Sequence, residues 1–276
     1  MAITAADVNK LRTMTGVGMM DCKNALVEAN GDFDKAVEIL RKKGQKVAAN
    51  RADREANEGF VFAQVTEDKA FGSVVMINCE SDFVGKNDDF INFVKSVSDI
   101  SIKNRVATRE DLLKIELDGM TINNHLTDLT GKIGEKIEMS RYESVTSEYV
   151  AAYNHNGNRL AAVVGFNKTI DNIQEIAHDV AMQVAAMAPI AINPEGVDKE
   201  FVEKELEIAR ELTRQEGKPE DLIEKIAQGK LNRFFKENTL VNQEFFKDTK
   251  TTVGDFLKSN DKDLECTSFA RLQLGA

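Results

Sequence analysis

One pattern limits what this chain can become more than any other, because it occurs twice. Residues 60–65 and 71–77 are short runs rich in β-branched and aromatic side chains on either side of the turn Glu67-Asp68-Lys69, which reads as a hairpin. Apolar residues at 90, 91, 93, 94 and 97 then mark one face of a helix from about Asn87 to Lys103. Residues 149–153 and 160–166 flank the turn Asn154-His155-Asn156-Gly157-Asn158 and lead into a second long helix over 170–187. Self-similarity of this kind predicts two related α/β subdomains, each a hairpin plus a helix. It places the chain in the α+β class.

Residues 1–44 read as a compact module of three short helices. Thr4 caps the first, with Asp7 three residues later as a capping-box partner, and Val8, Leu11 and Met14 form its apolar stripe before Gly16-Val17-Gly18 breaks it. The second buries Cys22, Ala25, Leu26 and Ala29 and ends at Asn30-Gly31. The third, capped by Asp32, carries Phe33, Ala36, Val37 and Leu40, and is expected to close at Gly44 behind Arg41, Lys42 and Lys43. Residues 45–58 lack an apolar stripe and read as a helical or extended linker, whose basic residues fit a solvated hinge better than an RNA contact. Amphipathic pieces over 108–116 and 121–131, a turn at 132–136 and a strand over 137–145 complete a first subdomain, 59–145. In the second, 146–276, two charged helices surround Glu216-Gly217-Lys218-Pro219. Val202, Leu206, Ala209 and Leu212 on one, with Leu222, Ile226 and Ala227 on the other, predict a projecting antiparallel helical hairpin over 197–236. A short helix after Thr251-Thr252 and an alternating strand at 269–274 follow.

With Lys+Arg 36 against Asp+Glu 46, a net charge of −10 argues against nucleic acid as the main partner. Cys22, Cys79 and Cys266 match no zinc or redox spacing and suggest reduced thiols in a cytosolic compartment. The first residues carry neither a basic leader nor an apolar core, so no secretory signal is expected. No apolar run approaches the ~20 residues of a membrane span. A cytoplasmic protein without membrane contact is the expectation. Catalytic signatures are missing too. Gly16-Val17-Gly18 lacks the third glycine of a phosphate loop and follows a helix instead of a strand. No helical His pair or Cys cluster offers metal ligands, so neither a metal nor a cofactor is expected. His125, His155 and His178 are isolated, and His178 reads as a hydrogen-bonded core residue.

Two features stand out against that background. Asn78-Cys79-Glu80-Ser81-Asp82-Phe83-Val84-Gly85-Lys86-Asn87 joins a buried strand to a helix and sets a carboxylate beside a large aromatic. In the bland reading Phe83 is the first core residue under the helix and Asp82 or Asn87 is its cap. Against it, the second repeat carries Asn167-Lys168-Thr169 where the first has Ser81-Asp82-Phe83-Val84. A purely structural connection has no need of that insertion, and loops held up at strand ends commonly carry function. Met19-Met20 is the other feature. Adjacent helix positions lie about 100° apart, so a small bundle does not readily bury both, and methionine is favoured on adaptable binding surfaces. The alternative is one methionine in the core and one exposed.

Four stretches carry a resemblance to a known family. Leu11-Arg12-Thr13-Met14-Thr15-Gly16-Val17-Gly18-Met19-Met20-Asp21-Cys22-Lys23-Asn24-Ala25-Leu26 and the stretch from Cys79 to Asn87 are similar to two signatures of bacterial translation elongation factor Ts, the guanine-nucleotide exchange factors of elongation factor Tu. Lys132-Ile133-Gly134-Glu135 and Thr252-Val253-Gly254 recur in order, so the resemblance spans essentially the whole chain. It implies a module similar to ubiquitin-associated (UBA-like) domains, in which Arg12, Met19 and Met20 contact the nucleotide-binding domain of elongation factor Tu. It implies that Ser81, Asp82, Phe83 and Val84 enter beside that partner's Mg²⁺ and phosphate site, with Ile133 and Gly134 nearby and a further contact at Phe246. The helical arm is implied to touch the partner as well. A protein of this kind has no bond chemistry of its own, binds GDP-bound and nucleotide-free partner, and needs no direct nucleic-acid contact. Ser81 stands where threonine is usual, Gly85 where alanine is usual, and Lys247 at a position that is often apolar. Because the sequence ends at Ala276, the carboxy-terminal helical module of some members is not expected. Two other readings compete: an adaptor that binds without changing nucleotide release, and a small-molecule enzyme. The enzyme needs a pocket with paired acid and base groups, which the sequence does not show.

Overall fold

The computed structural model describes residues 3–275. Met1, Ala2 and Ala276, which fall inside the outer limits of the expected domains, lie outside the described residues. The chain opens with α1 (Ala5–Thr15), α2 (Met19–Glu28) and α3 (Phe33–Arg51). Thr4 and Asp7 form the expected capping box on α1, Gly16 ends it at φ +69°, and the Asp32 side chain accepts from the Lys35 N–H to start α3. Val8, Leu11, Cys22, Ala25, Leu26, Ala29, Ala36 and Leu40 make a small closed core. Met14 is not part of it. It is exposed and lines a shallow cavity with Met120 and Lys132.

Next come β1 (Glu58–Val65), β2 (Phe71–Cys79), a single helical turn α4 (Asp82–Gly85), α5 (Asp88–Asn104) and α6 (Arg109–Lys114). The two-residue strands β3 (Glu116–Leu117) and β4 (Met120–Thr121) precede α7 (Ile122–Ile133) and β5 (Glu138–Thr146). The sheet order is β1-β2-β5. Phe90, Val94 and Val97 of α5 pack with Phe60, Val75 and Ile77 of the sheet. The pattern then returns as β6 (Tyr149–Asn154), β7 (Leu160–Phe166) and α8 (Ile173–Met187). Tyr149 pairs with Phe166 in the antiparallel register. After the arm, α9 (Lys199–Gln215) and α10 (Glu220–Asn238), come β8 (Glu244–Phe245), β9 (Asp248–Thr252), α11 (Val253–Asn260) and β10 (Cys266–Gln273). The second sheet has the order β10-β7-β6. In each sheet the second hairpin strand is central and a third strand joins its free side. The α+β class holds. The chain divides into two compact units, one made of the described residues up to Phe62, Val75–Glu143 and those from Leu272 on, the other of Ala63–Val74 and Ser144–Arg271.

Three further local expectations are corrected. His178 is exposed, with its ring edge-on to Tyr153, and the buried neighbour is Asp179. The inward stripe of α8 runs through Ile173, Ile176, Ala177, Val180 and Val184, so position 178 falls on the outer face. In the arm, Leu212 and Leu222 are exposed, while Ala209 and Thr213 of α9 and Ile223, Ala227 and Leu231 of α10 are buried. Thr213 can be buried because its hydroxyl donates to the Ala209 carbonyl at 2.6 Å. Arg210 bonds Glu224 through Nε at 2.8 Å and Nη2 at 2.9 Å, clamping the hairpin from outside.

The third correction is Gly44, which does not close α3. The helix continues to Arg51, so residues 45–51 of the expected linker are its last turns. Gly44 instead lies at a helix crossing, where α3 meets α7 and Gly44 faces Gly131 backbone to backbone. A Cβ on Gly131 would overlap the Gly44 Cα, whereas one on Gly44 would sit 3.5 Å from the Gly131 Cα, an ordinary contact. In an isolated helix either alanine gains about 1 kcal/mol over glycine. The crossing reverses the sign at one site only. Gly131→Ala is expected to lose about 1–3 kcal/mol through overpacking, while Gly44→Ala is neutral or stabilising by up to about 1 kcal/mol. Urea unfolding of the two variants checks this, and equal losses would show that the crossing is not close-packed as described.

Candidate functional site

The connection from β2 to α5 is where the fold departs from burying its apolar groups. Every residue of β2 is buried. Four residues beyond its end, Phe83 is 85% exposed, more than any other large hydrophobic side chain among the described residues. It is therefore not the first core residue under α5. The cap of α5 is Asn87, whose Oδ1 accepts from the N–H groups of Asp89 at 2.9 Å and Phe90 at 3.3 Å. Leaving a phenylalanine in water forgoes roughly 1.5–3 kcal/mol that burial would return. The rest of the loop is held by hydrogen bonds and one close backbone contact.

Two carboxylates do this reciprocally. Glu80 accepts the Lys136 backbone N–H at 2.6 Å, and Glu135 accepts the Ser81 N–H at 2.9 Å and its hydroxyl at 2.7 Å. Glu80 also takes Arg51 Nη1 at 2.7 Å from the end of α3, with Arg54 at 3.6 Å. The Cys79 thiol donates to the Ser81 carbonyl at 3.1 Å. Gly85 lies against the backbone of Gly59, where a Cβ would stand 3.0 Å from the Gly59 carbonyl oxygen. An alanine at 85 therefore needs Gly59 to yield by a few tenths of an ångström.

Of the sequence-predicted residues, Ser81 is tied to Glu135, the residue after Gly134, which links the 81–84 turn to the Ile133-Gly134 stretch. Ile133 is exposed at the end of α7, and Gly134 caps that helix at φ +78°. Asp82 is half exposed and its carboxylate binds Lys86 at 2.6 Å, one turn on. That hydrogen bond holds the Asp82 carboxyl below the usual carboxylate range. Arg12, Met19 and Met20 gather around the Gly16–Gly18 break of the helical module. All three are exposed, Met19 at 53% and Met20 at 65%, so neither methionine is in the core. Phe246 belongs to the other compact unit, is 40% exposed and sits edge-on to the buried Phe245.

The reading of the sequence missed Glu80, Glu135 and Arg51. The only local signal was an acid next to each candidate stretch, and nothing in the spacing says that each acid serves the other stretch. Among the described residues, no group of three or more His, Cys, Asp or Glu is placed to hold a metal ion, and no helix is long and apolar enough to cross a membrane.

The staple titrates. The Lys136 N–H, then Arg51 against the opposing effect of burial, holds the Glu80 carboxyl below its ordinary value. A group whose folded pKa is depressed contributes stability above its unfolded pKa and loses it as pH falls through the folded one. The loop is expected to stay fixed down to about pH 4.3, the ordinary glutamate value, and to loosen below it. The amide shift of Lys136, followed by NMR, should move in that window, and Glu80→Gln should abolish the transition. Burial, with Glu135 nearby, pushes the Cys79 thiol up to about 12. It should resist alkylation at pH 8 until the protein unfolds.

Comparison with known proteins gives a consistent result. A sequence model of the family described as Elongation factor TS matches residues 80–276. The chain is 51% identical over 273 residues to "Elongation factor Ts" of Christiangramia forsetii, covering 99% of both chains. It is 51% identical over 273 residues to that of Flavobacterium psychrophilum, again with 99% of each covered. With that of Amoebophilus asiaticus the identity is 49% over 277 residues and 100% of both chains. Similarity of this extent, running through the Phe83 loop and on to residue 276, shows that the chain belongs to the elongation factor Ts family.

Proposed function

We propose that the protein binds elongation factor Tu in its GDP-bound and nucleotide-free states and accelerates release of GDP, so that GTP can replace it in translation elongation. The observation that carries this reading is Phe83, exposed at the tip of a loop stapled beside Ile133 and Gly134. A rigid apolar projection suits insertion into another protein. It does not suit turnover of a small molecule, and on this reading the protein makes and breaks no bond itself.

The mechanism follows from what Mg²⁺ requires. The ion neutralises phosphate charge and needs near-ideal octahedral oxygen coordination, so a small displacement of the groups holding it is costly. Phe83 acts as a wedge that shifts a packed segment of the partner between discrete arrangements. Asp82 then holds the displaced elements by hydrogen bonds. To do so it must leave Lys86, which is cheap, because a solvent-exposed i,i+4 pair is largely screened by water. A direct Asp82–Mg²⁺ bond fits less well, since a factor that promotes release gains nothing from building a stable metal site. Ser81 and Val84 complete the inserted turn. Arg12, Met19 and Met20 dock the helical module on the partner's nucleotide-binding domain, and Phe246 and the arm add contacts from the second subdomain.

The division of labour follows a module at 1–44, whose third helix runs on through residues 45–51 of the linker at 45–58, and subdomains at 59–145 and 146–276. Exchange is then linkage. A factor that prefers the nucleotide-free partner weakens nucleotide binding, and nucleotide weakens binding of the factor by the same ratio. Abundance decides which nucleotide returns.

Release of a fluorescent GDP analogue from elongation factor Tu tests the reading. The wild type should accelerate it strongly, and Phe83→Ala should lose about ten- to a hundredfold of that acceleration, the equivalent of roughly 1.5–3 kcal/mol of buried phenylalanine. Acceleration that survives the mutation would move the wedge to another contact. Binding without any acceleration would leave the adaptor reading.

A further inference from the structure

Gln183 is fully buried in a helix whose neighbouring inward positions are Val180, Ala181, Val184 and Ala185. A buried amide costs stability unless it is fully bonded, and an apolar side chain would fill the same space without that demand. What Gln183 does with its bonds is specific. Its Oε1 accepts the Phe246 N–H at 2.9 Å, and its Nε2 donates to the Glu244 carbonyl at 3.1 Å and to Gln243 Oε1 at 3.2 Å. It therefore grips the backbone on both sides of Phe245, whose ring stacks on Phe256 at 4.1 Å.

One helical turn earlier, the buried Asp179 binds Lys247 Nζ at 2.7 Å. The turn from β8 to β9 has only a two-residue strand on one side, so little sheet pairing fixes it. Asp179 and Gln183 supply from α8 what the sheet does not. Gln243 extends the connection, donating to the Glu237 carbonyl at the end of α10 and to the Met187 carbonyl at the end of α8.

We propose that Asp179 and Gln183 are positioning residues that hold the 244–247 turn so that Phe246 faces the partner, and that Gln243 couples this placement to the base of the helical arm. The inference rests on the reading of Phe246 as a contact to elongation factor Tu. It also gives Lys247 a role, since a lysine at a position that is often apolar is spent on the internal Asp179 and is not lost from the interface.

The test is a double-mutant cycle on the full chain, reading the concentration of factor that half-saturates GDP-analogue release and the maximal rate separately. Phe246→Ala and Gln183→Met should each raise the half-saturating concentration about fivefold or more and leave the maximal rate unchanged. Combined, they should be no worse than Phe246→Ala alone, because a residue acting through Phe246 has nothing left to position. A purely structural role would lower the melting temperature, and its effect would multiply with that of Phe246→Ala. Should Gln183→Met not fold, Asp179→Asn, nearly identical in shape, goes through the same cycle. Multiplying effects, or a half-saturation untouched by Phe246→Ala or by the α8 variants, would overturn this inference alone. A wild type that does not accelerate release would overturn the functional reading, and this inference with it.

Discussion

Two carboxylates that serve each other's backbone hold the working part of this protein in place. Glu80 follows β2 yet takes the N–H of Lys136, and Glu135 follows α7 yet takes the N–H and hydroxyl of Ser81. Backbone donors in a part-buried connection must find a partner, and an ionised acceptor makes the bond shorter and stronger than a neutral one. Because the exchange runs both ways, neither the 80–82 segment nor the 135–136 segment can shift without leaving a carboxylate unmatched. Arg51 adds a third attachment from α3. An exposed phenylalanine would gain by folding back onto its own protein, and this frame opposes that by fixing the backbone at 80–81 just before it.

The second repeat shows what the same junction looks like without that task. After β7, the Asn167 side chain donates to the Asp263 carbonyl at 2.8 Å and accepts from the Glu265 N–H at 2.9 Å, while Lys168 binds Asp261 at 2.6 Å. All of these bonds go to the 261–265 segment that leads into β10, and no aromatic is displayed. Strand, turn, strand and helix are common to both copies, so the difference lies in the connection between strand and helix, residues 80–87 in one copy and 167–172 in the other. On the proposed function, the contact to the partner has been added to one copy of a repeated scaffold, at a loop held up by a rigid strand end.

Periodicity and capping made the scaffold legible from the residues alone. Hairpins, long helices and the arm lie close to where alternation and the 3.6-residue period put them, and Thr4, Asp32, Asn87 and Thr252 cap as their side chains dictate. Failures came where one residue type serves two purposes. Gly44 looks like a helix stop, and only the facing Gly131, far along the chain, makes it a contact. Leu212 is more apolar than Thr213, yet the threonine goes inside because its hydroxyl finds a carbonyl one turn back. The exposed tip was legible as an oddity, an aromatic beside an acid in one repeat only. Its frame was not, because Glu80 and Glu135 work across 56 and 54 positions of sequence, and no local pattern encodes such a pairing.

Magnitudes explain why a frame is needed at all. Ordering the backbone of one residue costs about 1–2 kcal/mol, so a floppy loop over the four residues 81–84 would spend roughly 4–8 kcal/mol on being fixed at the moment of binding. A single dominant interface side chain returns about 2–4 kcal/mol. Such a loop would use up what Phe83 returns before any of it could act on the partner. With the loop ordered in advance by Glu80, Glu135, the Gly85–Gly59 contact and the Asn87 cap, that cost is met when the protein folds. On the proposed function, the energy of inserting Phe83 is then available to act against the partner's Mg²⁺ and phosphate contacts. On the proposed function the same logic applies to Phe246, fixed by Asp179 and Gln183. An exchange factor of this design is limited less by how many groups it displays than by how firmly each is held before the partner arrives.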